Sequence, residues 1–356
     1  MSTLFSPLTV RGVTARNRLW VAPMCQYSAV DGMPQEWHHT HLAQFASGGA
    51  GIVIAEATAV SPEGRISLED VGIWNDEQRD AWQPIVEAIR SRGAVPGVQL
   101  AHAGRKASTW SPFSGTHGSV PAEAGGWSAV APSAIAFDGY AEPVALDAAG
   151  IDAVVADFAA ASVRAVAAGF QVLELHAAHG YLLHEFLSPL SNLRTDEYGG
   201  SLRGRARLLV RIVEAVRDAA PDAALFVRFS ATDWADGGLT VEEVATVAGW
   251  ARDAGADFFD ISSGGLVAHQ SVTVGPGYQV ALAAHVREAG MPVSAVGLIT
   301  NAAQAEQILV AGQADAIMAG REWLRDPHFA LRAAAELGDD IEYWPKQYVR
   351  ARHRTA

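Results

Sequence analysis

Apolar residues recur along this chain in two rhythms that take turns. Short runs in which nearly every position is apolar alternate with longer stretches whose apolar positions fall three and four residues apart. The first pattern predicts strands covered on both faces, the second amphipathic helices. Strands are predicted within 17–24 and over 51–57, 94–100, 171–176, 224–230, 257–262, 292–296 and 315–319. Helices are predicted over 37–46, 76–92, 151–168, 201–218, 240–254, 278–289, 301–311 and 322–337. Gly48-Gly49 stops the first helix, Asn75 caps the second, Gly169 closes the third, and Thr240 with Glu243 forms a capping box. Eight strands alternating with eight helices predict a parallel sheet and an α/β fold of the (β/α)8 (TIM) barrel class.

Residues 101–150 break the rhythm. They begin HAGRKAS and continue as a run rich in Gly, Pro, Ser and Trp. A loop this long is functional or disordered, and Trp110, Phe113 and Trp127 predict packing. It is expected to be an excursion after strand three, lying over the C-terminal end of the barrel, and residues 338–356 are expected to form a C-terminal tail. Length alone suggests about two domains at ~150 residues each. A barrel with insertions runs from ~200 to more than ~400 residues as one unit, so 1–356 is expected to be one domain.

In such a barrel the chemistry sits where strands end. The fourth strand runs into His176, His179 and Tyr181. Two imidazoles three residues apart can converge on one oxygen, and a phenol two residues on can supply a proton. The same residues are equally a pair of core histidines and a packing tyrosine. Other strand ends offer Cys25 and Tyr27, Ala57, Gln99 inside strand three, Arg228 inside strand five, Gly297, and Gly320-Arg321. Glycine turns after strands seven and eight are this fold's usual phosphate cradle, and Arg321 adds a fork matched to phosphate. Equally, Gly320 can simply turn the chain, and Arg228 can join a core ion pair, since a charge inside an apolar strand needs a partner.

Charge narrows the partners. There are 39 acidic against 26 basic residues, a formal net charge of −13, which argues against nucleic acid. No apolar run reaches the ~18 residues of a membrane helix. The start, MSTLFSPLTVRG, lacks the pattern of a signal peptide. The single cysteine, Cys25, leaves no internal disulfide, cysteine zinc site or iron–sulfur cluster. A cytoplasmic protein is expected.

The segments Ala22–Tyr27 (APMCQY), His102–Ala107 (HAGRKA) and His176–Gly200 (HAAHGYLLHEFLSPLSNLRTDEYGG), with Gly320-Arg321, resemble the Old Yellow Enzyme family, in its thermophilic-like or xenobiotic-reductase-like subgroup. The resemblance covers nearly the whole chain. It implies the barrel and a non-covalent FMN contacted by Ala22, Pro23, Met24, Cys25, Ala57, Gln99, Arg228 and Gly320-Arg321, next to the Gly297 turn. In the family's terms Arg228 lies at the N1–C2=O edge of the flavin, Gln99 bonds its pyrimidine ring and Cys25 tunes its potential. His176 and His179 then bind the carbonyl or nitro oxygen of an activated alkene, Tyr181 is the proton donor and Tyr27 a hydroxyl on the substrate side. NADPH or NADH is the implied reductant. The subgroup's tail, matched by Gln347, Tyr348 and Arg350, reaches a neighbouring subunit's site in a homodimer or homotetramer; Trp344 is an alternative pocket aromatic, and a solvated basic tail is the plain alternative. The family's larger dienoyl-CoA reductases carry an iron–sulfur domain, which one cysteine does not support here. Two other classes stay open: a metal-dependent barrel hydrolase with the HAAH histidines as ligands, and a flavin-binding protein without turnover.

Overall fold

The eight apolar runs are eight parallel strands that close on themselves in chain order: β1 Leu19–Val21, β2 Ile52–Ala59, β3 Val95–Ala101, β4 Val172–Ala177, β5 Ala224–Ser230, β6 Phe258–Ser262, β7 Val293–Ala295 and β8 Ala316–Ala319. The computed structural model describes residues 1–352, and residues 353–356 of the expected tail lie outside it. The principal covering helices are α1 Glu36–Ser47, α2 Asp76–Arg90, α3 Ala148–Ala168, α4 Leu182–Leu187, α5 Leu202–Arg205, α6 Arg207–Ala219, α7 Val241–Asp253, α8 Val280–Glu288, α9 Ala302–Val310, α10 Arg321–Arg325 and α11 Phe329–Glu336.

Alternation along each strand sorts the side chains into two cores. Leu173, Leu175, Val227, Phe229, Phe259 and Ile261 face outward and pack with the helices. Trp20, Ile54, Val172, Phe226, Phe258 and Met318 share a separate cluster inside the barrel. Trp20, Phe226 and Phe258 fill the middle, with ring centroids 4.8–5.9 Å apart. Burying such side chains contributes about 1.5–3 kcal/mol each. By the same alternation Gln99, Glu174, His176, Arg228, Asp260 and Ser294 belong to the interior set, nearer the C-terminal rim. In β2 the register slips between Ala55 and Ala57, so that Ala57 pairs with Gln99. This bulge turns Glu56 away towards His38, 3.3 Å off, and re-aims the strand end.

The expected helices are present, with informative differences. Asn75 accepts from the Gln78 N–H, and the Thr240–Glu243 capping box is formed. The third helix starts earlier, at Ala148, because Asp147 caps it. The stretch 201–218 is two helices joined at Ala206. The stretch 322–337 is also two, because Pro327 forces Asp326 out of the helical region, to φ −137° and ψ 93°. An N-terminal hairpin, Leu8–Val10 with Val13–Ala15, was not predicted, nor was α4. The excursion is ordered: Val130–Ala131 pairs with Val144–Ala145, and Trp127 donates its indole N–H to the Glu63 carbonyl. Phe113 departs from the expected packing. It is 76 % exposed, though it lies perpendicular to the Tyr27 ring with the centroids 5.8 Å apart.

Candidate active site

The site is built where β4 ends. After Ala177 the chain turns through Ala178, His179 and Gly180 and enters α4, with Tyr181 at the cap position. His179 and Gly180 both take left-handed backbone angles, φ 59° and 73°. That conformation is strained for histidine and is held by its surroundings. The His179 N–H donates to Ser230 Oγ at 2.9 Å. Its carbonyl accepts from Lys106 Nζ at 2.9 Å, and the same ammonium reaches the Gly265 carbonyl. A Cβ on Gly180 would lie 2.4 Å from the Gly265 oxygen, so the turn requires glycine there.

This turn brings three rings together. The His176 ring lies 5.3 Å from that of His179 and 4.9 Å from that of Tyr181, edge to face in both cases. Burial, reinforced by the Arg228 charge, holds both imidazoles well below their ordinary pKa. Both are therefore neutral at pH 7 and each carries one N–H. His179 Nε2 meets Ser262 Oγ at 2.8 Å. His176 Nδ1 is buried without a partner among the described residues, which marks it as a group awaiting one. Burial, with Cys25 and Tyr27 adding, raises Tyr181 well above the ordinary phenol value, so its proton is in place at any physiological pH.

Cys25 and Tyr27 sit beside this group. Tyr27 also takes a left-handed angle, φ 50°. The Cys25 thiol is pushed well above its ordinary value, first by burial and then by Asp70 and Glu56, against bonds from Ala57 and Tyr27. It is a thiol, not a thiolate.

A cavity of about 240 Å³ opens next to Arg228, lined by Ala22, Pro23, Met24, Gly297, Gly320 and Arg321 among others. It is smaller than the ~300–1,000 Å³ typical of ligand pockets. Gly297 has φ 115°, and a Cβ there would lie 2.7 Å from Gln279 Nε2. Arg321 and Arg325 bring cationic ends to the same cavity. Glu322 is engaged by Arg325 and Arg332, at 3.2 and 3.3 Å, whereas Arg321 has no ion-pair partner among the described residues. At the inner wall Arg228 Nε pairs with Asp260 Oδ2 at 2.9 Å. Arg228 therefore both joins a core ion pair and lines the cavity. A cationic rim, a glycine cradle and a guanidinium at the inner wall fit the phosphate and the electron-rich edge of FMN.

Gln99 is buried below this wall and donates to Glu174 Oε1 at 2.8 Å. Among the described residues no three His, Cys, Asp or Glu side chains are placed to hold a metal ion.

The tail lies elsewhere. Tyr343 accepts from Asn17 Nδ2 at 2.9 Å and stacks under Arg16. Trp344, Gln347 and Tyr348 line a groove with Arg16, Arg92 and Gly93. Those partners precede strands, at the end of the barrel opposite the histidines. Trp344 and the exposed Arg350 are therefore remote from this chain's own site.

Several participants were not foreseen. Ser262 and Lys106 fix His179, Gln279 donates to the Val296 carbonyl behind the cradle at 2.9 Å, and His184 braces Gly180. Glu174 and Asp260 carried the same signal that marks Arg228: a charge within an apolar strand.

Known proteins agree with this geometry. The NADH:flavin oxidoreductase / NADH oxidase family model matches residues 3–340. An NADPH dehydrogenase of Listeria monocytogenes is 48 % identical over 355 residues, 99 % of each chain. One from Bacillus subtilis is 46 % identical over 351 residues, 98 % of each. Among solved structures, morphinone reductase aligns with a TM-score of 0.79 at 27 % identity, over 96 % of this chain and 91 % of that one. The barrel, the cavity beside Arg228 and these matches give one conclusion: the chain belongs to the NADH:flavin oxidoreductase / NADH oxidase family, the FMN-dependent enzymes of the Old Yellow Enzyme type.

Proposed function

We propose that the protein is a cytoplasmic ene-reductase that uses NADPH or NADH to reduce the C=C bond of α,β-unsaturated carbonyl or nitro compounds. The observation that carries this is the trio of neutral His176, neutral His179 and protonated Tyr181, with the His176 ring in contact with each of the other two. A site for polarising one oxygen and protonating one carbon needs those three groups in those states. The curated relatives are named NADPH dehydrogenases, which supports the reductant.

FMN, when bound, supplies the atom that accepts hydride from the nicotinamide and passes it to the alkene. Ala22, Pro23, Met24, Cys25, Ala57, Gln99, Gly297, Gly320 and Arg321 hold it, and Arg228 offsets negative charge on its reduced form. His176 and His179 donate to the substrate oxygen and stabilise the charge that develops there, as an oxyanion hole does. Tyr181 delivers a proton to the carbon next to the activating group, and Tyr27 contacts substrate. The protein works as a homodimer or homotetramer in which Arg350 or Trp344 enters a neighbouring site. The tail's distance from its own site and the exposure of Arg350 support this.

The test is an absorption spectrum of the purified protein followed by anaerobic titration. The expected result is a yellow protein with one FMN per chain, bleached by a reduced nicotinamide and recoloured by an enone such as cyclohexenone. A colourless protein that takes up no added FMN, or a bleached one that no activated alkene reoxidises, refutes the proposal.

A further inference from the structure

Three ionisable side chains meet inside the closed barrel: Glu174 on β4, Arg228 on β5 and Asp260 on β6. Glu174 and Asp260 are wholly buried and Arg228 nearly so. If all three ionise, the interior holds one uncompensated negative charge, which a medium this poor in water disfavours strongly. One carboxyl must keep a proton, and the contacts decide which. Asp260 is the better stabilised as a carboxylate: Arg228 Nε lies 2.9 Å from Oδ2, an ion pair without hydrogen-bond geometry, and the Ser294 hydroxyl donates to Oδ1 at 2.8 Å. Glu174 accepts only from Gln99 Nε2, at 2.8 Å on Oε1, and its Oε2 has no partner. The rest of its surroundings carry no further charge. Beside it stand Gln99 on β3 and Phe226 on β5, and on its own strand the neutral His176.

We propose that Glu174 carries this proton and acts as a positioning residue for the flavin reaction, orienting the Gln99 amide and taking up or releasing a proton as the charge over Arg228 changes. This rests on the FMN-binding role of Gln99 and Arg228. One N–H of Gln99 is committed to Glu174, which leaves the amide carbonyl and the second N–H for the ring above. The coupling follows from charge balance. A hydride carries two electrons and one proton, so reduction makes the bound flavin one unit more negative. That charge draws on Arg228 and weakens its hold on the two carboxylates beneath. An ionised Glu174 then binds one proton from solvent, forming its O–H bond, and releases it on reoxidation. Burial first, and Asp260 second, raise the Glu174 pKa to about 8 against the pull of Arg228 and Gln99. Below that pH Glu174 is protonated in both redox states. Above it, reduction takes up a second proton.

The experiment is the midpoint potential of the holoenzyme from about pH 6 to about pH 10, for the wild type and Glu174→Gln. Wild type should take up one proton per two electrons at the acid end, with the slope against pH doubling above about pH 8. Glu174→Gln keeps an oxygen to accept from Gln99 and has nothing to titrate. It should bind FMN within a few-fold of wild type and show a single slope. Glu174→Leu also removes the acceptor, and FMN should bind it about five- to tenfold more weakly, the worth of one net hydrogen bond. If the variants do not fold, infrared difference spectra of wild type above about pH 8 should still gain a protonated-carboxyl band on reduction. A wild-type slope that never doubles, a doubling that survives in Glu174→Gln, or a missing carboxyl band overturns the proposal. A protein that binds no FMN instead overturns the flavin assignment beneath it.

Discussion

The backbone N–H of Gly180 donates to Nδ1 of His184 at 2.9 Å. Nδ1 therefore carries no proton, and the ring turns its other nitrogen, Nε2, to Asp233 Oδ1 at 2.8 Å. Both side chains are wholly buried. Gly180 lies between His179 and Tyr181, so this buried pair sets the turn that carries them. Burial alone would raise Asp233. His184, Leu239 and Ser188 outweigh it, and the carboxyl is held below its ordinary value. Its contribution to stability is thus present above the unfolded-state value and lost as pH falls through the folded one.

The pair should behave as one unit. His184→Leu, which strands a buried carboxylate, should cost about 3–5 kcal/mol, and Asp233→Leu, which strands a neutral N–H, about 1–3 kcal/mol. Together they should cost at least ~1 kcal/mol less than the sum. Phenol binding should weaken in parallel, because the turn loses its brace. Chemical denaturation of the two single variants and the double variant measures this, and additive losses would show the two side chains to act independently.

The barrel was legible because both its periods are local. Strands covered on both faces cannot avoid being apolar, and helices cannot avoid the three-and-four spacing. His176, His179 and Tyr181 were legible because the fold puts chemistry at strand ends. Glu174 and Asp260 were written as plainly as Arg228, each a charge in an apolar strand. They matter only as partners across adjacent strands, which one strand's sequence does not display. The break at Pro327 was readable from its chemistry, yet the apolar spacing continues across it. The His184–Asp233 contact joins segments far apart in the chain, and no local pattern encodes it. The tail's position depends on what Arg16 and Asn17 offer at the far end of the barrel, and nothing in its own residues states that.

Arg228→Ala should lose stability in a pH-dependent way. The variant leaves Glu174 and Asp260 without Arg228, the only cation acting on them among the described residues, so both folded-state pKa values rise further above the unfolded ones. Stability from a raised carboxyl is whole below the unfolded value, ~4, and is lost as pH rises through the folded value. The deficit relative to wild type should therefore be small near pH 4 and grow towards pH 8, reaching about 3–5 kcal/mol for an unpaired buried charge. Adding Asp260→Asn should recover part of it. Melting curves across that range decide the matter, and a deficit independent of pH would mean that Arg228 contributes by packing alone.

Cys25 is the chain's only cysteine, so thiol chemistry reports on it alone. The raised thiol should alkylate slowly at pH 7–8, well below the rate of a free thiol, because the thiolate is the reactive form. Cys25→Ser and Cys25→Ala should fold and bind FMN while shifting its reduction potential. Rapid modification by iodoacetamide at neutral pH would contradict the environment set by burial and then by Asp70 and Glu56. An unchanged potential in both variants would make Cys25 a plain packing residue.

Tyr181 separates the two halves of the reaction. Tyr181→Phe removes the hydroxyl and keeps the ring that packs 4.9 Å from His176, so the pocket keeps its shape. Flavin reduction by the nicotinamide requires no proton from this residue and should proceed at near wild-type rate. Reoxidation by an enone requires a proton at carbon and should slow by roughly 10²–10⁴, the range of general-acid assistance. Reoxidation by a quinone or by oxygen needs no such proton and should be unaffected. Replacing His176 or His179 with Ala should differ in kind: phenolic ligands should bind more weakly and enone reduction should slow by ~10²–10³, as for the loss of one oxyanion donor. Stopped-flow measurement of each half-reaction distinguishes these cases. Equal slowing of both half-reactions in Tyr181→Phe would reduce Tyr181 to a wall of the pocket, and Tyr27, which stands beside it, would become the next group to test as the proton source.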